Sequence, residues 1–177
     1  MSTTEITPTT RTAVDVVRAG VDDARTVHTL LTELAEHEDT AYAVGSTVAD
    51  WRRMLARPDV LVLLARVDGV PVGYLSGVRQ LNLWLGTDLF AMDDLYVRDG
   101  ARDRGVGSHL MAELAAHVDG WGGDLVVTWG ARDDNEAGHR FYRRIGATLR
   151  TKVVAAWQPA AYREHLRAQR AGRPPRR

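Results

Sequence analysis

The 177-residue chain has no cysteine, which excludes disulfides, thiolate metal sites and a cysteine nucleophile. It also has no excess of either charge. Its 23 Lys and Arg against 23 Asp and Glu give a formal net charge of zero, so there is no global electrostatic case for a nucleic-acid partner. No apolar run is long enough to suggest a membrane span, and the threonine-rich start, Met1 to Thr12, lacks the apolar centre of a signal peptide. No internal repeat is present. His28, His37, His109, His117, His139 and His165 form no cluster with carboxylates at zinc spacing, so no metal is expected. They read as surface or helix-face residues, with His37 alone a candidate for a cleft. These absences leave a cytoplasmic, redox-indifferent protein as the expectation.

What is present suits one globular domain, with 45% hydrophobic and 26% charged residues. The domain is expected over residues 13–170. Polar tails at Met1–Thr12 and Ala171–Arg177 are expected to be disordered. Strands are predicted at Val14–Arg18, Val60–Val67, Val72–Val78, a run ending at Val97, Leu125–Trp129 and Leu149–Ala156. Asp68-Gly69 predicts a hairpin turn between the second and third. Helical spacing predicts a helix through Val27, Leu30, Leu31 and Leu34, capped by Asp22 or Asp23 and ending at His37-Glu38-Asp39. Thr47-Val-Ala-Asp50 resembles a capping box before a short helix. Further helices are predicted at His109–Val118, at Asn135–Ile145 ending on Gly146, and from Pro159 to about Gln169. The order implies an α/β protein with a mixed, mostly antiparallel sheet.

One stretch organises the rest: Met92-Asp-Asp-Leu-Tyr-Val-Arg-Asp-Gly-Ala-Arg-Asp-Arg-Gly-Val-Gly-Ser108. A strand runs into an Arg-x-x-Gly-x-Gly turn (Arg102, Gly105, Gly107) and then into a helix. Unpaired N–H groups and the positive end of the helix dipole make such a turn an anion site, most naturally for a pyrophosphate. Arg102 and Arg104 add charged donors. A surface turn that merely joins strand to helix has the same composition, so the stretch alone does not choose. It is neither a Walker loop, lacking Gly-Lys-Ser/Thr, nor a dinucleotide fingerprint, lacking a third glycine.

The second motif is Asn135-Glu-Ala-Gly-His-Arg-Phe-Tyr-Arg-Arg-Ile-Gly-Ala147. Together with the arginine-glycine loop it resembles the GNAT superfamily of acetyl-CoA-dependent N-acetyltransferases, over Val14 to Ala156. Glu33-Leu-Ala-Glu-His-Glu38, Met92–Val97, Arg104–Ser108 and Phe141–Ala147 further resemble the diamine and polyamine (spermidine/spermine) branch. The resemblance implies the GNAT fold, with about six to seven strands, one of them splayed from its neighbour. It implies coenzyme A held by Arg102, Asp103, Arg104, Gly105, Val106, Gly107 and Ser108 at the pyrophosphate. The backbone of Leu95, Tyr96 and Val97 would hold the pantetheine arm, and an N–H near Val97 would serve the oxyanion. Asn135, Gly138 and Tyr142 would complete the coenzyme site, although Asn135 is equally placed to cap its helix.

The chemistry implied is attack by a neutral amine on a thioester. An alkyl amine with a pKa near about 10.4 is neutral in only roughly one molecule in a few thousand at pH 7, so a proton acceptor is needed. Asp93 and Asp94 are adjacent on a strand and so point to opposite faces. The resemblance selects Asp93, which aligns with a glutamate of the polyamine enzymes; a salt-bridged or solvated strand residue is the alternative. Tyr142 stands at the position of the general acid for the departing thiolate, the alternative being a core tyrosine beside Phe141. Glu38, Trp84, Asp93 and Asp94 are the candidates for a cationic, small-molecule amine. Diamines and polyamines lead, with aminoglycosides and peptide amines as alternatives and a non-catalytic acyl-CoA-binding domain as a third class. A homodimer through Lys152–Gln169 is implied, with no nucleic-acid or membrane partner.

Overall fold

The computed structural model describes residues 13–122 and 124–171; the expected tails, Ala171 aside, lie outside them. The chain divides after Gly130 into two compact units. The first holds a five-stranded sheet in the order β1 (Val14–Arg18), β2 (Val60–Val67), β3 (Val70–Asn82), β4 (Thr87–Val97) and β5 (Val127–Thr128). The first four strands pair antiparallel in sequence order, and β5 joins β4 in parallel through the crossover helix α3 (Val106–Gly120). α1 (Ala24–His37) and α2 (Val48–Leu55) cover the other face.

The sheet is buried on both sides, which explains why β2 reads as an unbroken apolar run. Leu61, Leu63, Ala65 and Val67 join Leu110, Leu114 and Val118 of α3 in one core, while Val62 and Leu64 join Val27, Leu30 and Trp51 in the other. Asp68 and Gly69 both take positive φ (51° and 77°), the conformation a two-residue hairpin needs. The Thr47–Asp50 capping box forms as expected: Asp50 N donates to Thr47 Oγ1 at 3.2 Å, and Thr47 N donates to Asp50 Oδ2 at 2.8 Å. Asp23 does occupy the cap position of α1, but its carboxylate accepts from Gly20 N and pairs with Arg66 instead of the first-turn amides.

In the second unit, α4 (Glu136–Arg144) ends in a Schellman motif, with Gly146 at φ 90°. Gly146 N donates to Arg143 O and Ala147 N to Tyr142 O, both at 3.0 Å. α5 (Pro159–Ala171) follows. The strand predicted at Leu149–Ala156 does not form. Residues 147–158 have no regular structure, and Val153 and Val154 are 91% and 88% exposed. A strand exists only where a neighbour takes its backbone groups, and among the described residues none pairs with this segment. Among the described residues the sheet therefore has five strands, against the six to seven expected.

Close packing of β3 on β4 yields a direct test. A Cβ added to Gly77 would lie 2.4 Å from Ala91 O and 2.5 Å from the Phe90 ring. Gly77→Ala should destabilise the fold by about 1–3 kcal/mol, measured by urea denaturation.

Candidate functional site

The site begins with an irregularity in β4. Leu75 pairs with Leu95 and Ser76 with Asp94, but the next residue of β3, Gly77, pairs with Met92. Asp93 is the extra residue of a β-bulge. In a regular strand Met92 and Asp94, two apart, would share a face. Here Met92 packs into the α3 core and Leu95 against it, while Tyr96 packs into the α1 core and Asp94 lines a cleft on that side. The cleft has a volume of about 370 Å³ and places Asp94 and Glu38 among Leu31, Leu34 and Val44.

Several contacts hold the cleft walls. Arg98, just past β4, grips Glu33 of α1 through Nε at 2.7 Å and a terminal nitrogen at 2.6 Å. Its other terminal nitrogen donates to Pro71 O at 2.6 Å. The segment after α1 folds back over the helix: Thr40 N donates to Ala35 O at 2.7 Å, and His28 Nε2 contacts Ser46 O at 3.0 Å. Two carboxylates on an aliphatic wall suit an alkyl ammonium group, since the stem can be buried while the charge is met. Asp93 does not line this cleft. Its carboxyl is pushed above the ordinary carboxylate range, first by partial burial and then by the neighbouring Asp94 charge. Trp84, at 98% exposure, stands at the tip of the β3–β4 hairpin, away from the cleft lining.

Beyond the bulge, β4 parts from β5. Only Phe90 and Ala91 pair with β5, so Met92–Val97 has no β5 partner on that edge. Leu95, Tyr96 and Val97 lie in this opened stretch, which leads through a 3₁₀ turn at Asp99–Ala101 into the glycine loop. There Asp103 (φ 61°) and Gly105 (φ 80°) turn the chain into α3. Val106, Gly107 and Ser108 form the first turn, whose amides have no acceptor within the helix. An open strand edge feeding a helix N-terminus fits a ligand with an amide-bearing arm and a phosphate end. Arg102 is turned the other way. Its Nε donates to Val97 O at 3.1 Å, one terminal nitrogen meets Asp99 at 2.9 Å, and the other reaches His37 Nε2 at 3.3 Å. Arg102 thus braces β4 against the end of α1, and both it and Arg104 are exposed.

In the second unit Asn135 caps α4, with Oδ1 accepting from Gly138 N at 2.8 Å. A Cβ on Gly138 would fall 2.7–2.9 Å from the Asn135 amide group, so the glycine is what permits this cap. Tyr142 is buried and meets Phe141 edge-on at 5.4 Å. Among the described residues no cluster of His, Asp and Glu could hold a metal ion, and no helix is long and apolar enough to cross a membrane. Sequence reading missed the 40–46 segment and Ser76. The second had a signal, as the one aliphatic hydroxyl in the strand, set between Leu75 and Gly77.

Three outcomes follow from this geometry. Gly105→Ala should cost about 1–2 kcal/mol of stability, because its φ is left-handed while the space around its Cβ is adequate. The same variant should weaken coenzyme A binding by up to about tenfold in calorimetry. For Asp93, a raised native pKa means that its favourable contribution is full below the ordinary carboxylate range and is lost as pH rises through the raised value. Asp93→Asn should therefore raise the urea midpoint at pH 7, and the gain should shrink towards pH 4.

Residues 25–147 match the family model described as "Acetyltransferase (GNAT) family". No curated protein sequence matches the chain. Among solved structures, an aminoglycoside acetyltransferase from an uncultured soil metagenomic sample superposes with a TM-score of 0.71 at 17% identity, covering 82% of this chain and 95% of that one. An aminoglycoside N-acetyltransferase solved with CoA gives 0.69 at 17% identity, covering 87% and 99%. The ribosomal-protein-alanine N-acetyltransferase of Brucella melitensis biovar Abortus 2308 gives 0.62 at 24%, covering 82% and 100%. The chain therefore belongs to the acetyltransferase (GNAT) family and takes the acetyl group it transfers from acetyl-CoA.

Proposed function

We propose that the chain acetylates a primary amine of a small, multiply cationic molecule. The observation that supports this most is the pairing of Glu38 and Asp94 in one aliphatic-walled cleft beside the opened part of β4. Diamines and polyamines are the first acceptors, as the resemblance of Glu33–Glu38 and Met92–Val97 implies. A second reading, an aminoglycoside acceptor, is supported by structural neighbours that carry that activity in their descriptions. A peptide amine, as the Brucella neighbour's name indicates for that protein, calls for a groove that takes up backbone, and the small acidic cleft speaks against it.

Coenzyme A would lie with its pyrophosphate on the amides of Gly105–Ser108 and its arm along Leu95–Val97. Bound there, it supplies an acetyl group activated as a thioester. The protein's own groups do the rest. Glu38 and Asp94 draw in the ammonium form, and Asp94, not Asp93, takes its proton because Asp94 is the one that lines the cleft. The freed nitrogen lone pair forms the new C–N bond, the C–S bond breaks, and the nitrogen gives up its second proton to solvent so that the amide is neutral. Tyr142, at the position the resemblance gives to the general acid, returns a proton to the thiolate. Asp94 then releases its proton to solvent and Tyr142 regains one from it. A phenol with a pKa near about 10 is protonated at neutral pH and able to donate.

A thiol-release assay with acetyl-CoA and a panel of diamines, polyamines, aminoglycosides and a peptide tests this reading. Turnover of small cationic amines is expected. Tight coenzyme binding without turnover of any of them would overturn it. Glu38→Gln should raise the amine KM by about tenfold, the scale of one partly solvated charge pair, with little change in the acetyl-CoA KM. Tyr142→Phe should lower kcat by roughly a hundredfold while coenzyme affinity is kept.

A further inference from the structure

Ser76 keeps only 4% of its surface exposed, in a part of β3 flanked by Leu75 and Gly77. Strand geometry does not call for a hydroxyl there, and burying one costs free energy unless it is bonded. It is bonded: Ser76 Oγ donates to Asp94 Oδ2 at 2.8 Å, across the strand pair that the bulge creates. Two residues earlier on the same face, Tyr74 is completely buried, and its hydroxyl has no partner at hydrogen-bonding geometry. Burial, followed by the charge of Asp94, holds that phenol protonated, far above the ordinary tyrosine range. Asp94 is thus an ionisable group set between a bonded hydroxyl and a protonated phenol with no other claim on it. The Tyr74 hydroxyl, close enough to interact with Asp94, is a second donor beside the carboxylate, and Ser76 is the one that meets it at hydrogen-bonding geometry.

We infer that Ser76 is a positioning residue for proton transfer. By occupying Oδ2 it locks the Asp94 carboxylate so that Oδ1 faces the cleft and accepts the proton of the ammonium substrate. The amine is left neutral and Asp94 Oδ1 carries the proton. The inference rests on the reading of Asp94 as proton acceptor given above and adds the device that orients it. A carboxylate free to rotate would spend part of its time directed away from the cleft, and catalysis falls with the fraction of time it is misdirected.

The test compares wild type, Ser76→Ala, Ser76→Cys and Ser76→Thr with two acceptors. One is an aliphatic diamine found to turn over, and the other its analogue difluorinated at the carbon β to each amine, in which a far larger fraction of the amine is neutral at the assay pH. Ser76→Ala should lower kcat for the diamine by about tenfold, a part of the usual general-base contribution, with the acetyl-CoA KM unchanged. Ser76→Thr should restore most of it. The fluorinated analogue, which less often needs a proton removed before attack, should lose less than about twofold. Ser76→Cys, nearly isosteric with a weak donor, should follow Ser76→Ala and serves if the alanine variant does not fold. Equal losses for the two amines would overturn the inference, as would undiminished turnover in folded Ser76→Ala or Ser76→Cys. Absence of turnover by wild type with any amine would overturn the reading beneath it as well.

Discussion

β4 carries a sequence that a regular strand cannot satisfy. With strict alternation, Phe90, Met92, Asp94 and Tyr96 would share one face, and an aspartate would enter the apolar core packed by α3. The structure divides them differently: Phe90 and Met92 go to the α3 core, Tyr96 goes to the α1 core, and Asp94 lines the cleft on the α1 side. The phase slips by one residue at Asp93. Few residues would tolerate that place, since a bulged residue loses its ladder partner and needs water or polar neighbours. Asp93 is exposed enough to accept it, at the cost of sitting beside a second carboxylate. Gly77 opposite has no side chain to resist the crowding at Ala91 and Phe90.

The rest of the site depends on that slip. On one edge, β4 stays paired with β3 to its end, so Asp94 rests on a rigid platform with Ser76 beneath it. On the other edge, pairing with β5 stops at Ala91, just before the bulge, which leaves Met92–Val97 without a β5 partner where the coenzyme arm is proposed to lie. The same strand then delivers the chain to α3, whose first-turn amides await an anion. Arg98 and Arg102 fasten this junction to α1 through Glu33 and His37, so the helix that Glu38 directly follows is fixed to the strand bearing Asp94.

Much of this was readable in advance, and what was not shares a cause. β1 and β2 match their predicted limits; β2, buried on both faces, writes itself as an apolar run, and β1 as a short valine-rich edge strand. Asp68-Gly69, the Thr47–Asp50 box and Gly146 are local devices whose residues state their own conformation. Glu38 and Asp94 were named as acceptor-site candidates and do meet in one cleft. Which of Asp93 and Asp94 lines the cleft was not legible, since it depends on which residues of β3 lie opposite. A bulge is a relation between two strands and not a property of one. Arg102 read as a phosphate donor, yet its engagement with Val97 O, Asp99 and His37 depends on the end of α1 reaching it. The Leu149–Ala156 segment shows the same limit, because strand propensity does not supply a neighbour.

A chain of zero net charge still builds a negative cleft, because its arginines near the sheet are already committed. Arg66 pairs with Asp23, Arg79 with Asp88 and Arg98 with Glu33, while no basic side chain lies within 4.0 Å of Glu38 or Asp94 among the described residues. The imbalance is local, and it favours one side of the proposed reaction. A cationic amine enters with a full charge facing two carboxylates. The amide formed from it has lost that charge and gained a polar group that the aliphatic wall of Leu31, Leu34 and Val44 does not pair. The attraction that gathers substrate is therefore weaker for product, which keeps its remaining ammonium groups but has lost the charge at the reacting amine, so the same two carboxylates that capture the amine also favour release of the acetylated molecule.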